Sequence, residues 1–66
     1  MRLLLNGAER ELPDGSSVAD AVLALGAPPS GVAVAVDDDV VPRAEWSGYR
    51  LHDGATVEVL TAVQGG

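Results

Sequence analysis

An α+β domain, with one main helix packed on one face of a mixed sheet of about five strands, is predicted by three features of the sequence. Short apolar runs with period-2 alternation recur along the 66 residues, a single segment carries apolar residues at helical spacing, and turn-forming residues separate the runs. A chain this short forms one domain spanning residues 1–66 and buries only about 60% of its unfolded surface.

The first run, Leu3 to Leu5, is followed by Asn6-Gly7 and then Ala8 to Leu12. Asn-Gly supplies the two positive φ angles of a type I′ turn, so the chain opens with a β-hairpin. Alternation puts Met1, Leu3 and Leu5 on one face and Leu4 on the other, away from the helix. Pro13-Asp14-Gly15 breaks the extended run, and Ser17 with Asp20 three residues on forms a capping pair at a helix start. Val18, Ala21, Val22 and Leu25 then fall at i, i+3, i+4 and i+7, one apolar stripe on about two turns of helix, closed by Gly26 and blocked by Pro28-Pro29.

Val32 to Val36 is apolar on both alternating faces, which suits an interior strand. Asp37-Asp38-Asp39 ends it as a solvated charged turn. Val40-Val41 makes a short strand whose following Pro42 cannot donate to a ladder, which places it at a sheet edge. Residues Ala44 to Leu51 are irregular, with Trp46 and Tyr49 covering an end of the core. Asp53-Gly54 turns the chain into a last strand, Thr56 to Val63, where Val57, Val59 and Thr61 alternate with Glu58, Leu60 and Ala62. If the first and last strands are neighbours, Leu4 and Leu60, with Ala62 nearby, make an apolar docking patch on the open sheet face.

Composition narrows the function. Ten acidic residues against four arginines and no lysine give a net charge of −6, which repels phosphate backbones and disfavours nucleic acid, while a basic protein surface would be attracted. There is no cysteine for a disulfide, a zinc site or a persulfide. The lone His52 and four serines lack a Gly-x-Ser-x-Gly elbow, so His52 reads as turn-exposed rather than catalytic. The aspartate triplet lacks the Gly and later Glu of a calcium loop, and a phosphate loop would need lysine. Three leucines after Arg2 are too few for a signal peptide, and no apolar run approaches membrane-spanning length, so a cytoplasmic protein without membrane contact is expected. No residue set for a metal, a bound cofactor or an assembled catalytic centre emerges.

What remains is the tail, residues 63–66, expected to be flexible and ending in Gly65-Gly66. Without a Cβ, these residues let a partner's active site close around the terminal carboxylate. Gln64 is the last residue able to make a side-chain contact; its solvation is an equal reading. A cleaved-tag scar would leave the same dipeptide.

The Asn6-Gly7 hairpin, the Val32 to Val36 strand, Val40-Val41-Pro42-Arg43-Ala44-Glu45-Trp46, Asp53-Gly54 and the ending Val57 to Gly66 together resemble, in order and spacing, the ubiquitin-like (β-grasp) sulfur carriers, specifically the carriers of thiazole formation in thiamin biosynthesis. Pro-Arg-x-x-Trp and Ala-Val-Gln-Gly-Gly are the specific parts. The chain departs from the family at Asp37-Asp38-Asp39, where an Asn-Gly-like turn is usual, and at Ala55, where an acidic residue is usual. Both are turn positions, remote from the expected chemistry, though the altered charge bears on partner choice.

The resemblance implies a β-grasp fold and a carrier rather than an enzyme. A ubiquitin-activating-like adenylyltransferase would join the Gly66 carboxylate to AMP from ATP, and sulfur from a desulfurase or rhodanese-like protein would displace AMP to leave a thiocarboxylate. Thiazole synthase would then receive the sulfur. Ala62 to Gly66, fully extended, span at most about 17 Å, enough to reach a buried nucleotide pocket. The small subunit of molybdopterin synthase, or a donor for tRNA thiolation or cysteine synthesis, would share this chemistry and differ in acceptor. A binding module with an incidental Gly-Gly, or a modifier conjugated to lysines, are readings of other classes.

Overall fold

The computed structural model of the chain describes residues 1–27 and 31–61. Along the chain lie β1 (Arg2–Leu5), β2 (Ala8–Glu11), α1 (Val18–Leu25), β3 (Val32–Val36), β4 (Asp39–Val41), a 3₁₀ turn (Arg43–Glu45) and β5 (Thr56–Thr61). Among the described residues the strands form one sheet in the order β2-β1-β5-β3-β4. The central β1–β5 pair is parallel and the other pairs are antiparallel, so the sheet is mixed, as the alternation and turn signals predict.

Local chemistry accounts for each boundary. Asn6 and Gly7 take φ values of 52° and 81° between the paired Leu5 and Ala8, the positive angles of a type I′ hairpin. At the start of α1 the Ser17 hydroxyl accepts from the Asp20 N–H, and the Asp20 carboxylate accepts from the Ser17 N–H at 2.9 Å. This reciprocal cap satisfies two otherwise orphaned donors and contributes about 1 kcal/mol. Gly26 stops the helix at φ 80°, and Arg10 from β2 donates to the Ala24 carbonyl at 3.1 Å, setting a cation against the negative end of the helix. Pro28-Pro29 lies outside the described residues.

Two expectations change in detail. Only Asp37 and Asp38 form the β3–β4 turn, because Asp39 pairs with Val36 and begins β4. The irregular segment after Pro42 begins with the 3₁₀ turn, which carries Trp46 into the core; there its Nε1 donates to the Val41 carbonyl at 2.9 Å. As expected, β3 is interior and β4 an edge.

The core lies between the helix and one sheet face. Val18, Ala21 and Val22 of α1 bury against Leu3 and Leu5 of β1, Val34 and Val36 of β3, and Val57 and Val59 of β5. Each such aliphatic contributes about 1.5–3 kcal/mol by leaving water, which a chain without phenylalanine needs from many small side chains. The consequence for function is that β5, the last strand, is held at the centre of the sheet.

Candidate functional site

β5 delivers the chain to its tail, and its two faces have separate duties. Val57 and Val59 point into the core and are almost fully buried, while Glu58 and Leu60 face the open side, Leu60 with 68% of its surface exposed. Ala62, Gln64, Gly65 and Gly66, the remaining residues singled out in the sequence, lie outside the described residues.

Leu4 and Leu60 occupy the same open face of neighbouring strands, yet they are not cross-strand neighbours. In the parallel register Leu4 stands beside Thr56, so Leu60 lies four residues further along β5, about 13 Å away. The apolar surface next to Leu60 instead runs across β3, where Ala33 pairs with Leu60. Ala35 pairs with both Glu58 and the exposed Val40, which extends the strip to β4. Leu4, 38% exposed, is flanked by Glu9 of β2 and Thr56. Sequence alternation assigns the face correctly; the strand register separates the two leucines.

The edge of β5 facing β1 has a second feature. Leu4 and Asn6 donate their backbone N–H groups to the carbonyls of Ala55 and Val57, each at 2.9 Å. Beyond that point β1 turns away into its hairpin, and the Asn6 carboxamide takes over: the Val59 N–H donates to Oδ1 at 2.7 Å and Nδ2 donates to the Val59 carbonyl at 3.1 Å. Sequence reasoning gives Asn6 a turn role only. Its second role depends on the β1–β5 register, which no local pattern contains.

At the opposite end of β5, Asp37 fastens the β3–β4 turn to Thr56. Its N–H donates to the Thr56 carbonyl at 2.8 Å, and its Oδ1 accepts from the Thr56 N–H at 2.9 Å. Oδ2 lies 2.7 Å from Nε2 of His52, whose Nδ1 lies 2.9 Å from the Asp53 carbonyl. Both ring nitrogens thus face acceptors, which suits the doubly protonated imidazolium. The hydrogen bond to Asp37 and that to the Asp53 carbonyl raise the His52 pKa above its ordinary 6.5. The Thr56 N–H, and then His52, lower the Asp37 pKa below 3.8. His52 is therefore exposed, as the sequence suggests, but engaged in a structural contact.

Elsewhere, a shallow groove of about 560 Å³ runs between the β2–α1 loop and the outer side of the helix, lined in part by Leu12, Pro13, Leu23 and Ala24. Its two carboxylates are already engaged, Asp14 by the Met1 amino group at 2.9 Å and Asp20 by Ser17. Among the described residues no group of three or more His, Cys, Asp or Glu could hold a metal ion, and no helix is long and apolar enough to cross a membrane.

Comparison with known proteins bears directly on this arrangement. The model of the ThiS family matches residues 3–66. The sulfur carrier protein ThiS of Escherichia coli (strain K12) is 26% identical over 66 residues, covering 100% of both chains. The crystal structure of a thiamine biosynthesis protein (ThiS) from Geobacter metallireducens superimposes with a TM-score of 0.82 at 26% identity, over 100% of both chains. A solution structure of a thiamine biosynthesis protein from the same organism gives 0.81 at 28% identity, covering 100% of this chain and 88% of that one.

Proposed function

Because the chain belongs to the ThiS family, the sulfur carriers of thiamin biosynthesis, we propose that its cargo rides on the carboxylate of Gly66. The fold is the family's β-grasp, and the protein is a carrier acted on by the enzymes of that pathway, not itself a catalyst. The observation that supports Gly66 is the family match, which runs through the last residue of a chain that has no cysteine. Sulfur needs a covalent attachment point, and here a persulfide side chain is unavailable.

A free carboxylate, with a pKa near 3.5, is an anion at pH 7 and a poor electrophile. Activation begins when a carboxylate oxygen of Gly66 attacks the α-phosphorus of ATP on an adenylyltransferase of the ubiquitin-activating kind, releasing pyrophosphate. The outer sulfur of a persulfide on a desulfurase or rhodanese-like protein then attacks the acyl carbon and expels AMP, and a thiol cleaves the resulting acyl disulfide, being itself oxidised to a disulfide. The terminus is left as a thiocarboxylate, a nucleophile that thiazole synthase accepts. ATP is thus a substrate of the partner and not a resident of this chain, and the reactions belong to the cytoplasm.

In this account residues 1–62 are the docking body and 63–66 the threaded tail. Gln64 makes the last side-chain contact, and Gly65 keeps the cross-section small. Leu60, with Ala33 beside it, is the exposed apolar part of the open face toward the end of β5, Leu4 adds a second, separate contact, and Ala62 completes the proposed docking set.

The identity of the acceptor is tested by offering the thiocarboxylate form to thiazole synthase with its small-molecule substrates, and separately to the large subunit of molybdopterin synthase with its own. Thiazole formation with the first alone is expected. Transfer to the molybdopterin system and none to thiazole synthase would overturn the assignment.

A further inference from the structure

We infer that Asn6 is a positioning residue for the terminus: its carboxamide, bonded to both polar groups of the Val59 backbone, fixes the line along which β5 sends the tail out of the sheet. The inference rests on the reading of Gly66 as the reacting group and adds a residue 53 positions from Val59 in sequence.

The side-chain amide stands in for the two backbone peptide groups that would otherwise meet Val59. In a parallel ladder the donors and acceptors of alternate residues on one strand are met by successive peptide groups of the next. β1 meets Ala55 and Val57 with the N–H groups of Leu4 and Asn6, then leaves at the hairpin. Val59 would face that edge with an unpaired N–H and carbonyl in a half-buried place, where lost hydrogen bonds are costly. A primary amide carries its carbonyl and one N–H side by side, so the single carboxamide of Asn6 meets both groups of Val59, which a backbone strand would meet with two successive peptide groups, and extends the ladder by one step.

The position imposes a second demand. Asn6 sits at φ 52°, in the left-handed region that β-branched and bulky residues avoid and that asparagine tolerates. Glycine would satisfy the turn and leave Val59 unpaired. Aspartate would accept from the Val59 N–H but set a second acceptor against the Val59 carbonyl. Asparagine alone joins a type I′ turn to a two-sided amide clamp, and the clamp falls two residues before the end of β5. Since Leu60 is paired to Ala33 on the other side, β5 is held on both edges up to that point.

A clamp there matters because a carboxylate carried on a short tail must meet an α-phosphorus held by another protein. Misplacement by about 1 Å can cost on the order of a hundredfold in rate even when it originates far from the chemistry. Asn6 touches neither ATP nor the terminus; it limits the directions from which the tail starts. Its loss therefore acts on turnover more than on docking, which uses the open face of the sheet.

The test compares the full-length chain with Asn6→Gly and Asn6→Asp in adenylation by the partner enzyme, followed by pyrophosphate release. For Asn6→Gly, kcat is expected to fall about tenfold or more while the KM for the carrier stays within about twofold. Asn6→Asp, which keeps the tolerance for positive φ, gives the same pattern and serves if the glycine variant does not fold. Unchanged kcat in a folded variant, or a loss confined to KM, overturns the inference. Backbone ¹⁵N relaxation supplies a readout independent of the chemistry. Leu60 and Thr61 are expected to be as ordered as the rest of β5 in the wild type and looser in Asn6→Gly, and equal order in both overturns the clamp. Absence of adenylation in the wild type with a demonstrably active partner would contradict the Gly66 reading, while the relaxation comparison still decides on Asn6.

Discussion

Asp37 and Asp38 hold φ values of 49° and 72°, a conformation that glycine adopts more easily. Aspartate tolerates it, and Asp37 repays the strain through its bonds to Thr56 and His52. The pH dependence follows from the two shifts. His52, with its folded pKa raised above 6.5, contributes stability that is complete below 6.5 and is lost as pH rises through the folded value. Asp37, with its folded pKa lowered below 3.8, contributes stability that is present above 3.8 and is lost as pH falls through the folded value. Asp37→Asn retains an acceptor for Thr56 and removes the charge. Its destabilisation relative to wild type is therefore expected to be largest between pH 3.8 and 6.5 and to shrink above the folded pKa of His52, measured by denaturant unfolding across pH. A pH-independent difference would show that the pair contributes nothing through charge. Such exposed contacts are illegible in sequence because His52 and Asp37 lie 15 residues apart and meet only when the β3–β4 turn settles on β5. By contrast, the Ser17–Asp20 cap spans three residues and is readable directly.

At the scale of elements, what could be read was what is local. The Asn6-Gly7 hairpin, the helix bounded by Ser17 and Gly26, and the alternation of β5 through Thr61 each carry their own chemistry, and each forms where the sequence places it, residues 62 and 63 of the predicted strand lying outside the described residues. Strand register is not local, and it decides the docking surface: Leu4 and Leu60 share a face, but Leu60 has Ala33 for its neighbour and Leu4 has Thr56. This arrangement gives β5 a directly testable role. Leu60→Asp adds a like charge to an already acidic chain and removes an exposed apolar contact beside the tail. Affinity for the adenylating partner is expected to weaken about tenfold, the loss of a contact worth about 1.4 kcal/mol, with circular dichroism and thermal unfolding unchanged. Wild-type affinity in the folded variant would remove Leu60 from the interface.

As a whole molecule, the chain separates stability from chemistry. Small aliphatic side chains on one sheet face and the helix make the core, the other face is left to solvent and partners, and the chemistry is assigned to a segment beyond both. A net charge of −6 favours encounter with basic partner surfaces, so association should be faster at low ionic strength. The division also explains why the tail can be proposed as the site from sequence alone. Glycines at the end of the chain and the absence of cysteine are facts of sequence, whereas the clamp on Val59 required the sheet. The central claim is that Gly66 carries the sulfur, and intact-mass measurement tests it most directly. After incubation with ATP, the adenylating partner and a sulfur donor, the wild-type chain is predicted to exchange one terminal oxygen for sulfur, and a chain lacking Gly66 to remain unchanged. An unaltered wild-type mass with an active partner, or sulfur acquired by the chain without Gly66, would contradict the account.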